Sequence, residues 1–410
     1  MQADANARVP RAFNRLAWSN LAAQSAEQIA LAAAPIIAVL AFGAGAGATG
    51  LLHTAATLPF LLFALPAGVL ADRVSRRGLM AAAESLRVLA LVAVPLLAFS
   101  GLLSLPLLAI LGFIGACGTV AYTVAAPALV PSLVPPGALA AANARIELAR
   151  TVAFTAGPAL AGVLVGWTGG SPAFGVAAAL SLIAVVLLAG LREPPRAPVE
   201  MRDPWREVRD GIGFVFRQDF LRPIFLTQFT FNTAYFVLMA VYVPHAVNRL
   251  GLTAAEIGGT LAAYGGGMIA GALLAGRVMR LLPFGVVVGI GPVFGLSAAL
   301  VMAATIWLPS MELAGFSFLL LGFGPIIWVI STTTLRQLVT PPDLLGRVSA
   351  VNVLAYGARP VGAALGALIG GVYGEETGLI VAAFGFLLQA AIILASPVVR
   401  LARQPAMAVS

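Results

Sequence analysis

Two charged residues stand inside apolar stretches of this 410-residue sequence, and their surroundings limit the chemistry open to them. Glu27 lies near the middle of the first stretch, and Asn20, Gln24, Glu27 and Gln28 recur at i, i+4, i+7 and i+8, which puts them in one stripe of a helix. A carboxylate in hydrocarbon costs at least about 2.5 kcal/mol on insertion scales, so the stripe must face away from lipid. Glu27 can alternate between protonated and ionised forms there, or hold a cationic group of a solute; a permanently paired structural acid is the alternative. Arg359, before Pro360, is the complementary case: it suits an anionic solute, a pairing with Glu27 in one state, or a carbonyl freed by the proline. Glu84 and Arg87, at i and i+3, read as a local ion pair near a helix end. Gln228, Asn232, Tyr235 and Tyr242 share helical spacing and are candidate solute contacts, with aromatic anchoring or packing also open. His53 and His245 suit solvated or packing roles better than a proton relay.

Helices that cross a bilayer must position these groups. Hydrophobic residues make up 60% of the chain and charged residues 10%, with a mean hydropathy of +0.99, too little charge to coat a water-soluble globule. The apolar residues come in runs of about twenty, each able to cross roughly 30 Å of hydrocarbon. A barrel would need shorter strands alternating polar with apolar, and no such alternation is visible. Twelve spans are expected, at residues 16–40, 49–70, 79–99, 104–124, 142–167, 171–191, 221–244, 255–276, 284–307, 311–334, 346–371 and 377–399. The fold class is an all-α polytopic membrane protein.

Charge placement orients the spans. Every basic residue is arginine, and with both termini and alternate loops assigned to the cytoplasm, 21 of the 24 fall on that side. The net charge of +8 therefore marks topology, and no nucleic-acid partner is expected. Cys117 is the single cysteine, which excludes a disulfide framework or CxxC metal site within one chain. The sequence has no GxxxxGK[ST], HExxH or GxSxG, so neither an enzyme, a metal nor a cofactor is expected, and any solute movement must draw on a gradient. Arg8, Arg11 and Arg15 look like a signal-peptide leader, but the run after them is long and carries Glu27, so it reads as a retained helix.

The polar stretch 193–220, Pro-rich and then amphipathic, divides the chain into six-span bundles at 1–192 and 221–410. LADRVSR at 70–76 matches LAGRVMR at 274–280 in five of seven positions, and Pro135-Pro136 corresponds to Pro341-Pro342. Such a parallel repeat is expected of a two-halved transporter.

GVLADRVSRR at 68–77 resembles the G-x-L-a-D-R-x-G-R-R signature of the major facilitator superfamily, with Ser75 replacing the usual Gly and predicting a looser turn. The resemblance covers nearly the whole chain. REVRDGIGFVFR (206–217), LTAAEIG (252–258) and LLGRVS (344–349) narrow it toward the bacterial exporter branch that includes the enterobactin exporter. It implies the major facilitator fold of twelve transmembrane helices, placed in the bacterial cytoplasmic membrane with both termini inside. The implied partners are the lipid bilayer, a small-molecule substrate and protons, and a monomer is expected. It also implies a conformational latch built from Gly68, Asp72, Arg73, Arg76 and Arg77, with Gly68 permitting close helix contact and Asp72 meeting the start of the eleventh span. GPALAG at 157–162 is similar to the superfamily's antiporter signature, in which Gly157, Pro158 and Gly162 bend and thin the fifth span; Ala161 replaces a usual Gly. The fourth-span Arg of many proton-linked drug exporters is missing. In that fold the first and seventh spans line the cavity, which makes Asn20, Gln24, Gln28, Gln228, Asn232 and Tyr235 substrate contacts; Arg359, the intramembrane charge of the eleventh span, is counted with them, and Glu27 is the proton-coupling group.

The expected function is proton-coupled efflux of a small amphipathic organic molecule by alternating access. An uptake symporter or facilitator, and a transporter-like sensor or scaffold without net flux, are the alternatives.

Overall fold

In hydrocarbon a backbone must satisfy its polar groups within its own segment, and among the described residues every regular element is accordingly helical. The computed structural model describes residues 11–403 apart from 136–137, 195–203, 342–343, 345–346, 349–350 and 352–353. The elements are α1 (Arg11–Phe42), α2 (Ala46–Arg73), α3 (Arg76–Phe99), α4 (Leu105–Leu133), α5 (Leu139–Thr168), α6 (Ser171–Ala189) and α7 (Pro204–Arg217). They continue with α8 (Leu221–Asn248), α9 (Ala254–Leu281), α10 (Phe284–Ala304), α11 (Met311–Val339), α12 (Ala358–Tyr373) and α13 (Glu375–Leu394). Backbone contacts separate two compact units, Met1–Gly43 with Ala55–Met201, and Ala44–Thr54 with Arg202–Ser410.

In the first unit α1 packs on α5 and α6, and α3 packs on α4 and α6. Phe13, Leu16, Met80, Tyr122, Leu129 and Leu188 fill one end of its interior. Small residues bring the helices together: a methyl group on Gly118 of α4 would lie 2.5 Å from the Ala83 carbonyl oxygen of α3. Likewise a methyl on Gly157 of α5 would lie 2.5 Å from Gln28 Cβ of α1.

In the second unit α9 and α11 cross through Gly267 and Gly322; a methyl on Gly322 would stand 2.8 Å from the Met268 amide nitrogen. Along α12, Gly362, Gly366 and Gly370 recur every four residues and seat on Thr233, Val237 and Val241, at the same interval along α8. A methyl on Gly366 would meet the Val237 carbonyl oxygen at 2.9 Å. The amphipathic α7 docks on this unit. Its Val215 is buried with Leu221, Val348 and Val351, and Arg347 reaches Asp210 at 3.8 Å.

Eleven helices among the described residues are long and apolar enough to cross a membrane. The expected eleventh span, 346–371, differs from the others: a 3-10 turn at Ala355–Gly357 interrupts it, and α12 has 16 residues. Pro360 falls in the first turn after the interruption. In a continuous helix its ring would clash with the Tyr356 carbonyl and its missing N–H would leave that oxygen unbonded; in the first turn of α12 neither penalty arises.

These crossings separate two kinds of glycine. Gly322→Ala should lower stability by about 1–3 kcal/mol through forced separation of α9 and α11. Gly276→Ala, in open space on α9, should be neutral or stabilising by up to about 1 kcal/mol. Thermal unfolding of the detergent-purified variants, followed by tryptophan fluorescence, measures both.

Candidate functional site

Around Arg359 the second unit gathers a polar and aromatic cluster. Asn232 Nδ2 donates to the Gln228 carbonyl one turn earlier in α8 (2.9 Å), which turns Asn232 Oδ1 toward Arg359 Nε at 3.2 Å. The Arg359 guanidinium lies 4.1 Å from the ring centre of Tyr356, in the 3-10 turn, and 5.8 Å from that of Phe236. The break before α12 places Tyr356 and Arg359 together. Tyr235 is stacked on Phe231 (5.8 Å between ring centres), edge-on to Phe236 (5.4 Å) and tilted against Tyr264 of α9 (6.0 Å). His53 is edge-on to Phe236 at 6.4 Å. Gln228 and Asn232 are buried, whereas Tyr235, Tyr356 and Arg359 are half-buried.

Tyr242 lies outside this cluster. It is fully buried, hydrogen-bonded to Thr260 and edge-on to Phe318 at 4.7 Å, so it packs the unit's interior instead of presenting a hydroxyl to a solute. His245 is also buried, its Nε2 within 2.8 Å of Thr305 Oγ1, and so is not solvated.

In the first unit Glu27 is the seventeenth of the 32 residues of α1. The stripe around it is uneven: Asn20 and Gln28 are buried, Gln24 and Glu27 half-buried. Gln28 carries the contact with Gly157, and Pro158, Ala161 and Gly162 continue the same buried part of α5. The antiporter-like segment thus seats α5 against the polar stripe.

Glu84 and Arg87 form the expected ion pair, at 2.9 Å, but not near a helix end. Arg87 is the twelfth of the 24 residues of α3, and the pair is sealed, with side chains 0% and 4% exposed. Arg87 also donates to the Ala23 carbonyl of α1 (3.1 Å) and to Thr119 Oγ1 of α4 (2.6 Å). Around it, Ser19 Oγ lies 3.3 Å from Tyr122 Oη and donates to the Ala184 carbonyl of α6 at 3.2 Å. Four helices therefore meet at one buried polar network.

The signature segment between α2 and α3 is organised by Glu193, a residue that sequence reasoning passed over. Its carboxylate accepts from Ser75 Oγ (2.6 Å) and from the backbone N–H groups of Arg76 and Arg77 (3.1 Å each), at the positive end of α3. Arg77 Nη1 donates to the Leu191 carbonyl (2.9 Å), Arg76 to that of Ala128, and Arg15 to that of Gly190. Ser75 does not loosen the turn. It is the N-cap of α3 with φ −57°, accepting from the Gly78 N–H at 3.0 Å, so a residue with a capping oxygen does what glycine cannot. Gly68 makes no close contact, because a methyl there would stay 4.0 Å from Val124. Arg73 is exposed at the end of α2, and the Asp72 side chain lies outside the described residues. An acid within an arginine-rich, Pro-flanked segment was the available signal for Glu193.

Glu193→Ala should cost about 1–2 kcal/mol, the loss of a charged cap on three donors, while Glu193→Gln should cost less. Denaturant unfolding of the purified variants gives the ranking.

Comparison with known proteins places the chain. It is 31% identical over 260 residues to the uncharacterised transporter y4rN of Sinorhizobium fredii, covering 61% of this chain and 60% of that relative. It is 26% identical over 382 residues to the multidrug efflux pump Tap of Mycobacterium tuberculosis, covering 88% and 87%. It is 29% identical over 321 residues to the enterobactin exporter EntS of Shigella boydii, covering 74% and 72%. Among solved structures, a POT family transporter in complex with 5-aminolevulinic acid superposes with a TM-score of 0.76 at 12% identity, over 95% of this chain and 97% of that one. The family model described as Major Facilitator Superfamily matches residues 16–359, and with the helical fold and the signature at 68–77 this makes the chain a member of that superfamily.

Proposed function

We propose that this chain is a secondary active exporter that exchanges protons for a small amphipathic organic molecule by alternating access in the bacterial cytoplasmic membrane. The observation that carries the reading is Glu27, a half-buried carboxylate at the midpoint of a 32-residue apolar helix, in line with Asn20, Gln24 and Gln28. A carboxylate at that depth is costly to insert, and gain and loss of a proton gives it a use. In the second unit Gln228, Asn232 and Arg359 offer polar contacts beside the flat faces of Tyr235 and Tyr356, a combination suited to a solute with one polar end and an apolar body. Outward transport is supported by the relatives, one named as a multidrug efflux pump and another as an enterobactin exporter.

In this reading the bundles 1–192 and 221–410, joined by 193–220, are the halves whose rocking exposes the solute to either side, and a single chain suffices. The segment with Gly68, Asp72, Arg73, Arg76 and Arg77 acts as the latch, with Glu193 holding its arginines' backbone in place.

The test uses proteoliposomes and ethidium as the amphipathic probe. Wild-type protein should drive ethidium flux under an imposed pH gradient, and Glu27→Gln should reduce that flux to the protein-free background. Undiminished gradient-driven flux in Glu27→Gln would assign the coupling proton to another residue.

A further inference from the structure

The network around Glu84 holds a titratable group that the proposed cycle does not use. Glu84 is 0% exposed, and the groups around it and its partner Arg87 come from three further helices: Ala23 on α1 and Thr119 on α4 bond to Arg87, and Tyr122 on α4 and Ser181 on α6 lie beside Glu84. Of these only Arg87 carries a fixed charge. Tyr122 is the titratable residue of α4 beside it, α6 has none between Ser171 and Ala189, and on α1 Glu27 lies one turn beyond Ala23.

The bonding of the two charged partners is unequal. Arg87 Nη1 and Nη2 reach Glu84 Oε1, the Ala23 carbonyl and Thr119 Oγ1, so the cation has two neutral acceptors besides the carboxylate. Glu84 Oε2 makes no hydrogen bond of good geometry among the described residues, and the Ser181 hydroxyl stands beside the carboxylate as a neutral group. An ionised carboxylate accepts only, and a buried oxygen without a donor carries its full desolvation cost. Proton uptake removes that cost and makes Glu84 a donor facing Ser181. Arg87 keeps α1 and α4 as partners in either state.

We propose that Glu84 is a second proton-binding site of this protein, lying within the first unit and distinct from Glu27. Binding there breaks no covalent bond: the carboxylate gains a proton and its charge attraction to Arg87 falls, while Arg87 stays bonded to the α1 and α4 groups that it bridges. Its place in a transport cycle rests on the proton-coupled reading above, but proton binding itself is measured with no solute present, so the two can fail separately.

The test is infrared difference spectroscopy of the full chain in liposomes, stepped between acidic and alkaline buffer. Wild type and Glu27→Gln should both show a pH-dependent carboxylic-acid C=O stretch that Glu84→Gln lacks, and Ser181→Ala should shift the frequency of that band. A Glu84→Gln spectrum superimposable on wild type would overturn the proposal, as would the absence of any such band from wild type. Should Glu84→Gln fail to fold, Ser181→Ala and Thr119→Val decide: displacement of the band's frequency or titration midpoint supports the site, and an unchanged band in both refutes it.

Discussion

An ionisable side chain removed from water must be met by groups on neighbouring helices, because in this setting solvation is supplied by protein or lost. Much of the architecture here follows from that demand. Arg87 can lie at mid-length of α3 because α1 offers a carbonyl and α4 a hydroxyl within 3.1 Å. Arg359 can lie where the eleventh span breaks because Asn232, itself fixed by the Gln228 carbonyl, presents an oxygen, and Tyr356 presents a ring face. At the end of α3, Glu193 and Ser75 meet the same demand for backbone N–H groups and three arginines turn to carbonyls.

Meeting it requires helices closer than ordinary side chains permit. Glycine supplies the approach: Gly118 brings α4 onto the α3 backbone a turn from Arg87, and Gly157 brings α5 onto Gln28 beside Glu27. Apolar burial adds little drive between helices in lipid, so these contacts rest on packing and hydrogen bonds. The polar networks and the glycine seats are two parts of one solution, since each is useful only at the separation the other requires.

Hydrophobic thickness made most of the helices legible, and a carboxylate at the midpoint of α1 could be read directly. The interruption at Ala355–Gly357 escaped a hydropathy reading because Tyr356 and Pro360 do not change the average, though the clash between them was present in the spacing. Glu84 and Arg87 were legible as a pair but not as a sealed one, because Thr119 and Ala23 lie 32 and 64 positions from Arg87. Tyr242 shared the spacing of the α8 stripe, yet Thr260 and Phe318 drew it inward. Ser75 looked like the loss of a glycine and proved to be the gain of a cap, a difference visible only once α3 is known to begin at Arg76.

The glycine seam between α8 and α12 has a mechanical implication. With Gly362, Gly366 and Gly370 meshed against Thr233, Val237 and Val241 at matching intervals, α12 can slide along α8 only by lifting out and re-engaging about one turn, roughly 5.4 Å, away. The helix behaves as a toothed rack. Arg359, just before the first tooth, is thereby held in register with Asn232.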